Sequence, residues 1–354
     1  MIRNIIVLII IIGILGYFVI NRFFFKPPVS PSSSQSKKEQ IQTKEPQVPL
    51  SVAYMRKQKY SGSDIIIEQI LFPGSNYDRY IVSYKSEGLK IFALLTVPQG
   101  LKPKNGWPVI IFNHGYIPPE QYRTTERYIA YTDAFSRNGY IIFKSDYRGH
   151  GNSEGKPEGA YYSPAYTTDI LNAVSSVKKY KDADPEKIGM WGHSMGGMIT
   201  LRTMVTTSDI KAGVIWAGVV ASYEDLTNNW HHPDLNPRPF IPSEREQATR
   251  RPGRQSYIDK YGTFEQNPSF WQSISPISFA KDVSGPIQLH HGTADSEVPL
   301  LFSQKLDNAM KNTKKQVELF TYEGDDHNLS NNLGIALQRS VEFFDKYVKN
   351  VTPN

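Results

Sequence analysis

The sequence predicts an α/β protein: one mostly parallel central sheet flanked by helices, with a small inserted cap and an N-terminal transmembrane helix. Three observations predict it. From Val109 onward, short apolar runs alternate with stretches of helical periodicity, the pattern of a parallel sheet covered on both faces. The first 25 residues are almost wholly apolar. A segment rich in Pro, Ser, Gln and Lys then separates them from the rest of the chain.

The chain has 354 residues, 39% hydrophobic and 21% charged, enough to bury one large core. Its formal charge is +6, but Lys and Arg are interleaved with Asp and Glu and no long basic run appears. Nucleic acid is therefore not an expected partner. The absence of cysteine excludes disulfides, a thiolate nucleophile and Cys-ligated zinc.

Ile5 to Ile20 carries no charge, and Phe23, Phe24 and Phe25 extend the apolar stretch past Arg22. Together they approach the roughly 20 residues needed to cross a hydrocarbon layer. Residues 1–26 are expected to anchor the protein in a lipid bilayer through residues 4–25. A cleaved signal peptide is the rival, but its apolar region is shorter and Phe23 to Lys26 offers no small-x-small site. Arg3 faces Arg22 and Lys26 across the segment, so charge barely discriminates orientation. The expectation is a single-pass protein with an extracytoplasmic catalytic domain. Residues 27–50 have few large apolar side chains and read as a disordered linker. As a flexible coil it would hold the next domain on the order of 25–30 Å from the bilayer.

Residues 51–354 form the expected catalytic domain. Strands over 64–72, 80–85 and 90–97, separated by Pro73-Gly74 and Glu87-Gly88, make an antiparallel opening. Alternating units follow: strand 109–113, helix 126–137, strand 140–145, helix 166–180, strand 188–192, helix 195–206 and strand 212–217. Strand 287–291, helix 300–311, strand 317–322 and helix 333–348 complete the chain. Between them, 222–284 lacks this alternation and is too long for an ordinary connection. It contains Trp230, Phe240, Tyr257, Tyr261, Phe264, Phe270 and Trp271. This reads as a cap over the site, with its aromatics mainly forming its own core.

The strongest chemical signal is Gly192-His193-Ser194-Met195-Gly196-Gly197, directly after an apolar strand and opening a helix. A G-x-S-x-G turn strains the serine backbone and lifts its hydroxyl clear of the sheet, so its neighbours must be small. The helix N-terminus behind it offers unpaired N–H groups to developing negative charge. Ser194 is thus the candidate nucleophile of an α/β-hydrolase fold.

Eight histidines compete for the role of base. His193 adjoins the serine, where the turn directs its side chain away from the attacking oxygen. His231 and His232 lie in the insertion, and His150 follows strand 140–145. His327 follows the last strand, at the carboxyl edge where the elbow emerges, and of the eight it alone combines that place with the chain order Ser…Asp/Glu…His. Asp295, ending the preceding strand in His290-His291-Gly292-Thr293-Ala294-Asp295, is the expected acid that fixes the imidazole tautomer. Asp325 and Asp326 adjoin His327 and are candidates for a supporting role. For the oxyanion hole, Met195 N–H is one donor. Tyr116, after Asn113-His114-Gly115, supplies the other by its N–H or its hydroxyl.

Asp184-Pro185 with Lys187-Ile188-Gly189 leading into the elbow resembles the catalytic domain of the prolyl oligopeptidase group. So do Ser275-Pro276-Ile277, His291-Gly292-Thr293-Ala294-Asp295 with Val298-Pro299, and Tyr322-Glu323-Gly324 before Asp326-His327. The resemblance spans roughly 109–348 and implies acyl transfer to water through an acyl-enzyme. Relatives include dipeptidyl and acylaminoacyl peptidases and many esterases. Two departures bear on substrate. Only about 60 residues lie between the linker and Val109, too few for a β-propeller. The oxyanion segment also reads His114-Gly115-Tyr116 rather than the His-Gly-Gly of those peptidases. Asp146-Tyr147-Arg148-Gly149-His150-Gly151-Asn152-Ser153 resembles a loop widespread in α/β-hydrolases and is assigned a structural role at the site rim.

The expectation is a serine hydrolase, peptidase or esterase, acting on small acyl esters or short peptides. The alternatives are a carboxylesterase without peptidase activity and a catalytically silent binding module on the same fold. No cofactor and no metal are expected: His231-His232 lacks companion ligands at recognisable spacing. Arg245, Arg250, Arg251 and Arg254 read as a solvated basic surface, or as an attraction for a carboxylate-bearing substrate.

Overall fold

The alternating units build one nine-stranded sheet. In the computed structural model, which describes residues 48–230 and 244–350, the strands are β1 (Ile66–Leu71), β2 (Tyr77–Ser86), β3 (Leu89–Pro98), β4 (Trp107–Asn113), β5 (Ile141–Ser145), β6 (Ala183–His193), β7 (Ala212–Trp216), β8 (Ile287–Gly292) and β9 (Val317–Tyr322). Their spatial order is β1-β2-β3-β5-β4-β6-β7-β8-β9. The pairs β1–β2, β2–β3 and β3–β5 are antiparallel. From β5 through β9 every pair is parallel. After β4 the chain goes to one side for β5 and to the other for β6. The crevice at the carboxyl ends of β4 and β6 is thus a topological switch point, where open α/β sheets place ligands.

The consecutive apolar residues of the parallel strands have a simple cause: neighbours enter opposite cores. On β4, Val109 and Ile111 join one buried cluster and Ile110 and Phe112 the other. The first core is closed by helices Ala165–Val177, Met195–Thr206 and Leu300–Asn312, through Ile170, Ile199 and Phe302. The second is closed by helices Ile129–Arg137 and Leu333–Phe344, through Phe135, Leu337 and Phe344. Helix Met195–Thr206 has no solvent face, because almost every residue on it is buried, its polar Thr200, Arg202 and Thr203 included.

Several boundaries differ from the sequence reading. The helix expected from 126 starts at Ile129, because Arg127 and Tyr128 are both left-handed, at φ 57° and 54°. A short helix, Val52–Lys57, was not anticipated; Ser51 Oγ caps it by accepting from Tyr54 N–H. The last helix is regular through Phe344 and continues as a π turn, Asp345–Lys349. At the start of the domain, Leu50 is fully buried rather than part of a loose linker, packed with Tyr223, Phe264, Phe270, Trp271 and Ile274.

The insertion between β7 and β8 is helical where described: Tyr223–Asn228, Glu244–Tyr261, Pro268–Ile274 and the 3₁₀ turn Pro276–Asp282. Its aromatics Phe264, Phe270 and Trp271 pack into that same cluster. The expected anchor over 4–25, the linker up to residue 47 and residues 231–243 of the insertion, with Phe240, His231 and His232, lie outside the described residues. Among the described residues no helix is long and apolar enough to cross a membrane, and none belongs to a β-propeller.

Candidate active site

Ser194 occupies the junction of β6 and helix Met195–Thr206 with φ 54° and ψ −118°, a backbone region that L-residues adopt only under constraint. The constraint is visible. Ser194 N–H donates to Trp216 C=O at 3.0 Å, and Ser194 C=O accepts from Gly197 N–H at 2.9 Å and Val219 N–H at 3.1 Å. Space demands the flanking glycines. A Cβ at Gly196 would lie 2.0 Å from Asn113 O, and one at Gly192 would lie 2.4 Å from Gly196 O. The carboxyl end of β4 is therefore pressed against the elbow.

Asp295 follows β8, and its carboxylate is saturated with donors. Oδ1 accepts from Glu297 N–H at 2.8 Å and Val298 N–H at 2.9 Å. Oδ2 lies 2.8 Å from His327 Nδ1 and 3.1 Å from His291 Nε2. Burial alone would raise its pKa, but the bonds from His291 and His327 outweigh this and hold the carboxyl well below the usual range. His327, in the loop after β9, is displaced in the opposite direction. Burial works against its charged form, yet the bond to Asp295 and the nearby charges of Asp295, Glu297 and Asp326 raise its pKa. Glu297 Oε2 lies 3.7 Å from Nε2, the ring nitrogen turned away from Asp295.

Asp325 and Asp326 shape the loop instead of contacting the imidazole. Asp325 accepts from Asp326, Asn331 and Asn332 N–H and from Asn332 Nδ2. Asp326 accepts from Asn328 and Ser330 N–H and the Ser330 hydroxyl. Ala294 N–H donates to Asp325 C=O at 3.0 Å, which seats the Asp295 loop (the acid loop of the expected triad) on the His327 loop (its base loop).

His193 does not turn into solvent. It is buried, and its ring centroid lies 4.6 Å from that of His327. Its Nε2–H donates to His327 C=O at 3.0 Å, and its Nδ1 accepts from Tyr128 O–H at 2.7 Å. Burial pulls its pKa down to about 3, so it is neutral.

Of the expected oxyanion donors, Met195 opens the helix, where first-turn N–H groups have no intrahelical acceptor. Tyr116 follows Gly115, whose hypothetical Cβ would stand 3.3 Å from Ser194 Cβ, so this loop passes directly over the serine. His114 is fully buried, stacked between Tyr122 and Tyr147, with Nδ1–H donating to Gly115 C=O at 2.7 Å. The loop beginning at Asp146 buttresses it. Asp146 accepts from Tyr122 and Thr124 hydroxyls, Tyr147 O–H donates to His114 C=O, and Arg148 forms a buried ion pair with Asp169 at 2.7 Å.

Sequence reasoning missed three residues at this site. His291 was visible four positions before Asp295 at a strand end, but the adjacent His290 obscured it. Glu297 stood inside the acid loop. Tyr128 carried no local signal. Trp230, singled out as a cap aromatic, donates from its indole to Glu297 C=O at 2.7 Å, tying the start of the insertion to the acid loop. No cluster of metal-ligating side chains occurs among the described residues.

Residues 127–351 match the prolyl oligopeptidase family. A curated relative, the uncharacterized peptidase YtmA of Bacillus subtilis, is 24% identical over 261 residues, spanning 73% of this chain and 90% of its own. A second, the uncharacterized peptidase YuxL of the same organism, is also 24% identical, but this chain spans only 35% of its length. Among solved structures, the acylaminoacyl peptidase of Pyrococcus horikoshii superposes with a TM-score of 0.60 at 22% identity, covering 79% of this chain and 43% of that one. An acetyl xylan esterase from Paenibacillus sp. R4 gives 0.60 at 17% identity, covering 84% and 92%. At these identities the structural likeness establishes the α/β-hydrolase architecture.

Proposed function

Because the chain belongs to the prolyl oligopeptidase family and is a serine hydrolase of the peptidase or esterase type, we propose that Ser194, Asp295 and His327 are its catalytic triad. We further propose that it cleaves small acyl esters and short peptide amides. The observation that carries the triad is the 2.8 Å contact of His327 Nδ1 with a carboxylate oxygen of Asp295. It joins the loops after β8 and β9, and the second of these bonds the elbow through His193 Nε2–H and His327 C=O.

The chemistry follows from these positions. Neutral His327 accepts the Ser194 hydroxyl proton at Nε2 as the serine oxygen attacks the acyl carbon. Asp295, held anionic, keeps the other ring proton on Nδ1 and stabilises the imidazolium. Met195 N–H and Tyr116 stabilise the oxyanion, a contribution of about 3–4 kcal/mol per donor in comparable sites. His327 then returns the proton to the leaving alcohol or amine; water, deprotonated by the same nitrogen, attacks the acyl-enzyme, and His327 passes that proton to Ser194 Oγ as the acid leaves.

With no propeller among the described residues, substrate selection falls to the insertion over 222–284, read as a cap, and to the site rim. The reading favours compact acyl groups, which a capped site admits while turning away extended chains. A carboxylesterase without peptidase activity is the second reading, supported by the near-complete span of the acetyl xylan esterase. A fluorophosphonate probe and a panel of aryl esters, aminoacyl amides and extended peptides test the proposal on purified 48–354, which keeps the buried Leu50. Labelling lost in Ser194→Ala, with short esters cleaved fastest and short amides detectably, is the expected result. Labelling that persists in Ser194→Ala would refute the nucleophile, and preferred cleavage of extended peptides would refute the closed cap.

The apolar run of residues 4–25 supports a further proposal, an uncleaved single-pass anchor with the catalytic domain on the extracytoplasmic side. Full-length protein should remain with membranes through carbonate extraction. A mature N-terminus beyond Lys26 in mass spectrometry would establish a cleaved signal instead.

A further inference from the structure

A chain of hydrogen bonds with one permitted direction runs beneath the serine. Gly115 N–H, which can only donate, meets the Tyr128 hydroxyl oxygen at 2.9 Å. His327 C=O, which can only accept, lies 3.0 Å from His193 Nε2 and so places the single proton of neutral His193 on that nitrogen. His193 Nδ1 is then an acceptor, and the Tyr128 hydroxyl must donate to it across 2.7 Å. The order is Gly115 N–H, Tyr128 O–H, His193 Nδ1, His193 Nε2–H, His327 C=O. Each group has one role, and the tyrosine spends its only proton inside the chain, so it has none for an oxyanion.

The chain joins the three parts that must hold register for acyl transfer: the loop over the serine, the elbow and the base loop. The protein sustains unfavourable geometry to keep it. Tyr128 is left-handed, as is Arg127 before it, a backbone that residues with a Cβ adopt only at a cost. The carbonyls of Glu126 and Arg127 are held by the buried Lys144 ammonium at 3.0 and 3.4 Å. The Tyr128 ring is fixed edge-on by Phe112 and Trp191, at centroid distances of 5.5 and 6.0 Å. A merely space-filling tyrosine needs no such backbone.

We propose that Tyr128 and His193 are positioning residues that lock the oxyanion loop to the base loop, a role that rests on Ser194, Asp295 and His327 being the triad. Loss of the link leaves each catalytic group present but lets the two loops drift relative to the serine, and small misplacements at a reacting centre are costly. The loss should therefore fall on the transition state and leave ground-state binding unchanged.

The test uses purified protein with intact Ser194-dependent fluorophosphonate labelling, so that failure of the triad is recognised first, in the wild type. Tyr128→Phe keeps the ring and removes only the hydroxyl. Its kcat on a short aryl ester should fall about 10- to 100-fold with KM within about threefold. Affinity for an arylboronic acid, whose tetrahedral serine adduct loads the oxyanion hole, should fall in parallel with kcat. His193→Gln should behave similarly, and the double variant should be no worse than the poorer single, because one chain is broken once. If His193→Gln does not fold, Tyr128→Phe alone decides through the kcat–KM split and the boronate. Folded Tyr128→Phe with kcat within about twofold of wild type would overturn the proposal. So would a kcat loss without loss of boronate affinity, or independent multiplication of the two single effects.

Discussion

His291 Nε2 stands 3.1 Å from the same Asp295 oxygen, Oδ2, that holds His327 Nδ1 at 2.8 Å. The imidazole of His291 is fully buried and oriented at both ends: Nδ1 accepts from the Ser303 hydroxyl at 2.8 Å, and Nε2 also reaches Val298 C=O at 2.9 Å. It is thus a fixed donor that stops the Asp295 carboxylate from rotating away from the base. Removing it in His291→Phe should cut kcat about tenfold, the scale typical of a lost supporting partner in a preorganised site. His291→Gln, which retains an N–H donor, should recover part of the loss. Steady-state kinetics on an aryl ester decides, and unchanged kcat in folded His291→Phe would remove His291 from the site.

The raised pKa of His327 sets a direction for pH dependence. With His327 as the proposed base, activity requires the neutral imidazole, so kcat/KM should rise with pH through an apparent pKa above the ordinary histidine value of about 6.5. Glu297, whose carboxylate oxygen lies 3.7 Å from Nε2, is one source of that displacement. Glu297→Gln removes a negative charge that favours the imidazolium, so the acid limb should move to lower pH. At pH below the wild-type midpoint the variant should be the more active of the two, provided KM is unchanged. A limb that stays in place or moves to higher pH would show that Glu297 does not act on the base.

What could be read from the residues alone is what local patterns encode. The elbow was legible because Gly192, Ser194 and Gly196 are adjacent in the chain, and the sterics that require them act within one turn. The parallel strands were legible because residues such as Ile110 and Ile111 face two cores and must both be apolar. The meeting of Asp295 with His327 followed from their chain order at strand ends. Tyr128 was not legible: it lies inside a run with helical periodicity, and its left-handed backbone is imposed by contacts with Lys144, Gly115 and His193. Leu50 was misread for the same reason, since its burial depends on the distant Tyr223 and Trp271.

Close approach around the elbow predicts opposite outcomes for two glycines. A Cβ at Gly196 would lie 2.0 Å from Asn113 O and 2.8 Å from His114 O. Both are backbone atoms of a buried strand end and cannot yield as a side chain would. Gly196→Ala should abolish fluorophosphonate labelling and lower Tm by many degrees. Gly334, in the first turn of helix Leu333–Phe344, has nothing within 4 Å of its hypothetical Cβ. Gly334→Ala should be stabilising by up to about 1 kcal/mol through helix propensity, with labelling unchanged. Thermal unfolding monitored with labelling checks both, and a Gly196→Ala protein that labels normally would show that the elbow has room to shift.

Arg202 concerns the join between the domain's first residues and its insertion. The side chain is fully buried on helix Met195–Thr206. Its partners are neutral: Nη1 donates to Leu50 C=O and Ile274 C=O, each at 3.0 Å, and Nη2 donates to the Tyr223 hydroxyl at 2.9 Å. Two effects compete in Arg202→Met. The substitution relieves the burial of a charge, worth several kcal/mol. It also removes three charge-assisted bonds of about 1.5–3 kcal/mol each and leaves two buried carbonyls without a donor. The bonds together exceed the relief, so the variant should lose about 2–4 kcal/mol in denaturant unfolding. The loss should be concentrated where those carbonyls lie, with limited proteolysis cutting near residues 48–50 before the core opens. A rise in stability would show that desolvation of the guanidinium outweighs its bonds and that packing of Leu50 alone fastens the segment.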